Sequence, residues 1–327
     1  MQELLTVSPS PHIRSRMTTQ KIMGLVLLAL VPAIVAATIV FGVRALFLIV
    51  FCAAVSVLVE WICRKLMKKE NTIQDGSALL TGVLLALNVP ATLPLWEAAI
   101  GCIVAIAVVK QLFGGLGCNF ANPAITGRVF LLLAFAGDMT TWVKPFYYRG
   151  LSFGEMAASS ANLADGLTGA TPLVSGDAGL LSLFLGNVGG SLGETSALAL
   201  LIAVGVISAA TPVAYLGSLS VFTLIYTLVT GGNLSDVLYQ VLAGGVLLGA
   251  FFMATDYVTT PITTKGKIVF GIGCGILTFV IRYWANMPEG CSFSILLMNL
   301  LTPYIDRLTM KQPIGKKEPE KEEKQHA

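Results

Sequence analysis

Asp165-Gly166-Leu167-Thr168-Gly169-Ala170-Thr171-Pro172 is the stretch whose residue types and spacing suit covalent chemistry. Pro172 pushes Thr171 away from helical geometry towards an extended conformation. Gly169 and Ala170 leave little side-chain bulk beside the Thr171 hydroxyl, so another molecule can approach the backbone. Asp165 and Thr168 add a carboxylate and a second hydroxyl. The expectation is a stiff, accessible hydroxyl that serves as an attachment point. The same residues would also make an ordinary Gly/Thr/Pro turn outside a membrane. Spacing alone leaves both readings open.

Further polar residues interrupt apolar sequence. Asn119, Asn122 and Arg128 fall in Gly-Gly-Leu-Gly-Cys-Asn-Phe-Ala-Asn-Pro-Ala-Ile-Thr-Gly-Arg at 114–128. The two asparagines could hold a ring-shaped ligand or satisfy broken backbone. Arg128 could pair with a phosphate, a carboxylate or backbone carbonyls. Asp256 lies in Phe-Phe-Met-Ala-Thr-Asp-Tyr-Val-Thr-Thr-Pro at 251–261, where an apolar run breaks. A carboxylate there is costly unless paired or near water. A place on an ion pathway and a helix-end aspartate facing the interface are both open to it. Glu60, Glu97 and Lys110 lie near expected helix ends and read as interfacial, and Arg282 as a snorkelling side chain.

These groups need a frame to hold them. Of the 327 residues, 55% are hydrophobic and 12% charged, with a mean hydropathy of +0.79. A soluble domain cannot hide that much apolar surface, so the chain is an all-α, polytopic membrane protein in contact with lipid. A net charge of +3 gives no case for nucleic acid, and the cations read as topology determinants. Six scattered cysteines and two histidines, His12 and His326, form no metal-ligand spacing. Buried apolar thiols are the expectation for most of them, with Cys118 the least bland. No cleavable signal peptide is expected, because residues 1–21 are mostly polar.

The apolar pattern gives ten crossings. Residues 1–21 form a cytoplasmic arm. Residues 22–136 hold five crossings: 22–41, 45–63, a broken segment at 77–89 that meets Pro90 and Pro94, 96–112, and 129–136 after irregular backbone over 114–128. Residues 137–193 are an external loop carrying Thr171, with a short apolar run at 180–185 that dips back. Residues 194–309 hold five more, at 194–211, 212–229, 237–255, 268–284 and 292–305. Residues 310–327 are a charged cytoplasmic tail. Arg64, Lys65, Lys68 and Lys69 after the second crossing, and Arg307, Lys311, Lys316 and Lys317 after the last, place both termini inside and Thr171 on the outer face. The halves echo each other. Gly82 and Pro94 match Gly249 and Pro261, while Asn122, Pro123 and Arg128 match Asn299, Pro303 and Arg307. Five crossings per half make the second copy inverted, and broken helices at matching places mark a midplane site. Reuse of small residues for helix packing gives a similar echo.

Asp-x-x-Thr-Gly-Ala-Thr at 165–171 resembles the flavinylation motif of two related respiratory pumps. These are the Rnf ferredoxin:NAD oxidoreductase and the sodium-pumping NADH:quinone oxidoreductase. The 114–128 stretch, Gly-Asn-Val-Gly-Gly-Ser-Leu-Gly-Glu-Thr-Ser at 186–196, Phe-Met-Ala-Thr-Asp at 252–256 and Leu-Leu-Met-Asn-Leu-Leu-Thr-Pro-Tyr-Ile-Asp-Arg at 296–307 resemble the D subunits of Rnf complexes. The likeness spans residues 5 to 310. The homologous B subunit of the quinone-reducing pump is the alternative, though it has a longer N-terminal extension. A urea-transporter-like solute channel is the alternative from another class. The resemblance implies a urea-transporter-like fold of two inverted five-helix repeats in the cell membrane. It implies FMN on Thr171 through a phosphoester made by a flavin transferase, and a further riboflavin in the membrane. It implies electron relay coupled to Na+ or H+ movement, with the A, B, C, E and flavin-bearing G subunits as partners.

Overall fold

A computed structural model describes residues 17–149, 169–176, 178–202, 209–285, 287 and 289–310. Helix α1 spans Thr19–Phe41, started by the Thr18 hydroxyl, which accepts from the Lys21 amide. Gly42, at φ 76°, ends it and turns the chain straight into α2, Val43–Leu66. At 1.5 Å per residue α1 is roughly 34 Å long, enough to cross the hydrocarbon layer. Helix α3, Ser77–Leu87, stops short of a crossing. The chain then runs irregularly through Asn88–Pro94, as its two prolines require. Helix α4, Leu95–Ile103, continues without interruption into a π-helical segment, Val104–Gln111.

The glycine-rich loop after it uses positive φ at Gly114, Gly115 and Gly117. Irregular backbone ends at Asn122, not at Arg128 as expected. The Asn122 side chain accepts the amides of Ala124 and Ile125, and Pro123 opens helix α5, Pro123–Ala134. Asparagine at the cap and proline at the first helical position form a start signal, so Arg128 sits inside a helix.

In the second half, α6 spans Ala210–Thr230 and α7 spans Ser235–Leu242. Helix α8, Val246–Leu248, runs on into a second π-helical segment, Gly249–Met253. The chain bends by 64° between α7 and α8. The expected continuous crossing over 237–255 is therefore broken, at Ala243–Gly245. Helices α9, Thr264–Trp284, and α10, Cys291–Thr309, follow. The expected crossing over 194–211 shows a helix at Ala197–Ile202, and 203–208 lie outside the described residues.

Among the described residues the chain is all-helical with no strand. Helices α1, α2, α6 and α9 are long and apolar enough to span a membrane, or five spans if the bent pair is one. The protein is thus a multi-pass membrane protein. Small residues close the helix pairs, as is usual in lipid. A Cβ on Gly82 would lie 2.6 Å from the Cys52 carbonyl, and one on Gly271 2.7 Å from that of Thr211. One end of the bundle gathers the α1–α2 turn, the Asn88–Pro94 break and the later loops. Phe146 N–H bonds the Val40 carbonyl, Gly193 N–H that of Leu87, and Leu192 N–H that of Val89. Arg44 donates to the Leu93 carbonyl. The other end gathers the end of α2, residues 110–122 and residues 254–267.

Candidate functional site

Thr171 has extended geometry (φ −67°, ψ 155°) before a short helical turn, Pro172–Ser175. The segment is docked by the Gly169 amide on the Trp142 carbonyl and by the Tyr239 hydroxyl on the Pro172 carbonyl. Docking buries Thr171 to 5% exposure, which corrects the accessible hydroxyl expected from small neighbours. Among the described residues its Oγ1 has no hydrogen-bond partner. Asp165 and Thr168 lie outside the described residues. Thr171 shares a small pocket with Gly189, Gly190, Glu194, Thr195, Gly244 and Glu289. Glu194 accepts the Ser191 amide at 2.7 Å through Oε1. Its Oε2, together with Ser191 Oγ, Thr195 Oγ1 and Glu289 Oε1, is buried without a partner. Buried polar atoms are paired in the great majority of cases, so this group of unpaired oxygens beside an unpaired hydroxyl marks the pocket as a candidate site.

Arg128 stands behind this pocket. It donates to Ser292 Oγ at 2.8 Å and Asn88 Oδ1 at 3.4 Å, and pairs with Glu289. A Cβ at Gly245 would lie 2.7 Å from Glu194 Oε2 and 3.5 Å from Arg128 Nη1. The bare backbone there lets both charges approach. Arg282 does not snorkel: it donates to the carbonyls of Gln240, Ala243 and Glu289, tying α9 to the α7–α8 break.

Asn119, Asn122 and Asp256 belong to a different place. They line a cavity of about 280 Å³ at the opposite end, with Lys110, Leu80, Leu84 and Phe252. The structure therefore divides the expected site residues in two: Gly169, Ala170, Thr171 and Arg128 at one end, the asparagines and Asp256 at the other. Asn122 is occupied as a helix cap and by donation to the Met253 carbonyl at 3.2 Å, which realises its backbone-satisfying role. Among the described residues Asn119 Oδ1 is buried without a partner. Asp256 accepts from Thr259 Oγ1 at 3.0 Å. Asn299, with its amide turned to satisfy both ends, donates to the Thr259 carbonyl and accepts the Asn122 amide at 3.1 Å. The two asparagines paired by the sequence echo thus meet.

Glu60 and Lys110, expected at interfaces, are instead buried together. Their side chains are 1% and 2% exposed and lie 2.9 Å apart. The signal is an acid and a base, each set in apolar sequence, which in a membrane have reason to find each other. Their 50-residue separation hides the pairing. Glu194 is likewise visible in Gly-Asn-Val-Gly-Gly-Ser-Leu-Gly-Glu-Thr-Ser, but nothing local ties it to Thr171.

Comparison with known proteins follows the same residues. The family model for NQR2, RnfD and RnfE matches residues 6–315. The chain belongs to this family. It is 44% identical to the D subunit of the Na(+)-translocating ferredoxin:NAD(+) oxidoreductase complex of Acetobacterium woodii, over 99% of this chain and 100% of that one. It is 39% identical to the D subunit of the proton-translocating ferredoxin:NAD(+) oxidoreductase complex of Clostridium ljungdahlii, over 96% and 97%. It is 38% identical to the D subunit of the ion-translocating oxidoreductase complex of Stutzerimonas stutzeri, over 92% and 93%.

Proposed function

We propose that this chain is the D-type membrane subunit of a redox-driven, ion-translocating ferredoxin:NAD oxidoreductase complex, and that Thr171 carries FMN as a phosphoester. The observation that carries this is the Thr171 hydroxyl: buried, unpartnered, and close to other unpaired oxygens. About 10 Å³ is free beside it, the space of a single water. The bulk of the attached group therefore lies outside the pocket. Arg128 and Arg282, packed against Gly245 and Gly244, supply positive charge near that phosphate, offsetting Glu194 and Glu289. When bound, the flavin supplies one-electron transfer. The chain fixes its position and tunes its electronics.

The 280 Å³ cavity is our assignment for a second, non-covalent flavin, riboflavin. Asn119 Oδ1 offers an acceptor to its polar edge, and Leu80, Leu84 and Phe252 offer apolar faces. In this reading the fold has ten crossings in two inverted repeats, 22–136 and 194–309, on a urea-transporter-like scaffold. The 1–21 arm and 310–327 tail are cytoplasmic, and Thr171 in the 137–193 loop faces outward. The partners are the A, B, C and E subunits and the flavin-bearing G subunit, with a flavin transferase for maturation. Asp256, on the cavity wall, is the candidate for the ion path. Intact-mass analysis of the chain, co-expressed with a transferase, tests the attachment. One FMN residue of added mass on the peptide holding Thr171 is expected, and an unmodified peptide would sink the proposal.

A further inference from the structure

Three charged side chains line the larger cavity, Lys110, Asp256 and Lys267, and of these Lys110 alone is fully enclosed, at 1% exposure. Its ammonium carries three N–H donors. One goes to Glu60 Oε1 at 2.9 Å and one to Ser77 Oγ at 2.8 Å. The third has no acceptor among the described residues. Glu60 lies behind Lys110 and does not line the cavity. The same Glu60 oxygen also takes Gln111 Nε2 at 2.8 Å and Thr72 Oγ1 at 2.9 Å. Consecutive residues of an α-helix point about 100° apart, yet Lys110 and Gln111 both reach one oxygen. They sit at the end of the π-helical segment, a geometry frequent at functional sites. A cation is thus presented to the cavity and braced by a carboxylate on its far side.

We propose that Lys110, braced by Glu60, is the charge that sets the electron affinity of the flavin in this cavity. The inference rests on the cavity being the non-covalent flavin site. Each electron added to the flavin adds negative charge, and an ammonium in a low-dielectric wall stabilises that charge. Lys110 transfers nothing: it acts through its charge. Glu60 acts only through Lys110: it moderates the field and holds the side chain in place.

The test is a reductive titration of the whole detergent-solubilised complex with dithionite-reduced mediators. Wild type is compared with Lys110→Met, Lys110→Arg and Glu60→Gln after acid-extractable flavin is measured in each. Lys110→Met should make the non-covalent flavin at least tenfold harder to reduce, about 59 mV for one electron. Lys110→Arg should stay near wild type. Glu60→Gln, which leaves the ammonium uncompensated, should shift the midpoint the other way. Unchanged midpoints in Lys110→Met and Glu60→Gln, with flavin retained, would overturn the inference. If Lys110→Met loses the flavin, Glu60→Gln alone decides. The cavity assignment fails separately: wild type would yield no extractable flavin, or cavity-filling Leu84→Trp would leave its content and midpoint unchanged.

Discussion

Replacing Arg128 by methionine removes the cation behind the Thr171 pocket while keeping most of its volume. Arg128 is buried and Glu289 is 17% exposed. The change strands the Glu289 carboxylate and removes the donor to Asn88 Oδ1 and Ser292 Oγ. Breaking a fully buried pair from one side costs about 3–5 kcal/mol. Glu289 is part-buried as a side chain, so we expect the lower end, about 3 kcal/mol. Neutralising the partner as well, Arg128→Met with Glu289→Gln, should restore about half of that, because the stranded charge is gone. The assay is the heat-induced loss of soluble, monodisperse protein, with the four members of the cycle purified side by side. The single variant should fall by several degrees, and the double variant should lie between it and wild type. Losses that simply add, or an Arg128→Met protein as stable as wild type, would show that the pair does not hold this end of the bundle together.

Other consequences are simpler. Gly275→Ala places a methyl 2.7 Å from the Tyr215 carbonyl and against Ser218. It should force α6 and α9 apart at about 1–3 kcal/mol, read as a lower melting midpoint than that of Gly217→Ala, which meets nothing within 4 Å. Cys118 is exposed, whereas Cys52, Cys102, Cys274 and Cys291 are buried. A membrane-impermeant maleimide should therefore label Cys118 in inverted vesicles and leave right-side-out vesicles unlabelled. Labelling from the outside would break the ten-crossing topology. Asp256→Asn should lower ion pumping by the assembled complex; unaltered pumping would remove Asp256 from the ion path.

Much of the frame is legible in the sequence because composition and proline placement are local signals. The short α3 and the break before Pro94 follow from an apolar run too brief to cross, ended by two prolines. Other features depend on contacts distant in sequence. The bend at Ala243–Gly245 sits in continuous apolar sequence, and its reason is tertiary: Leu173 and Arg282 pack where a Gly244 side chain would be, Glu194 and Arg128 where one on Gly245 would be. The π-helical segment Val104–Gln111 likewise brings Lys110 and Gln111 onto one oxygen of Glu60, which lies on another helix. Asn122-Pro123 reads as a break in the sequence because a helix start and a helix interruption share those residues, and only the direction of the Asn122 bonds separates them. Thr171 is legible as a special hydroxyl, but its burial is not, since the 186–196 segment that covers it folds back onto Leu87 and Val89.

The central claim is that Thr171 holds a flavin covalently. The most direct measurement is in-gel flavin fluorescence of the denatured chain, wild type beside Thr171→Ala, each co-expressed with an active flavin transferase. The account predicts a fluorescent wild-type band and a dark variant band of equal protein content. A dark wild-type band, with the transferase shown to modify another substrate, would contradict it and favour a solute channel on the same scaffold.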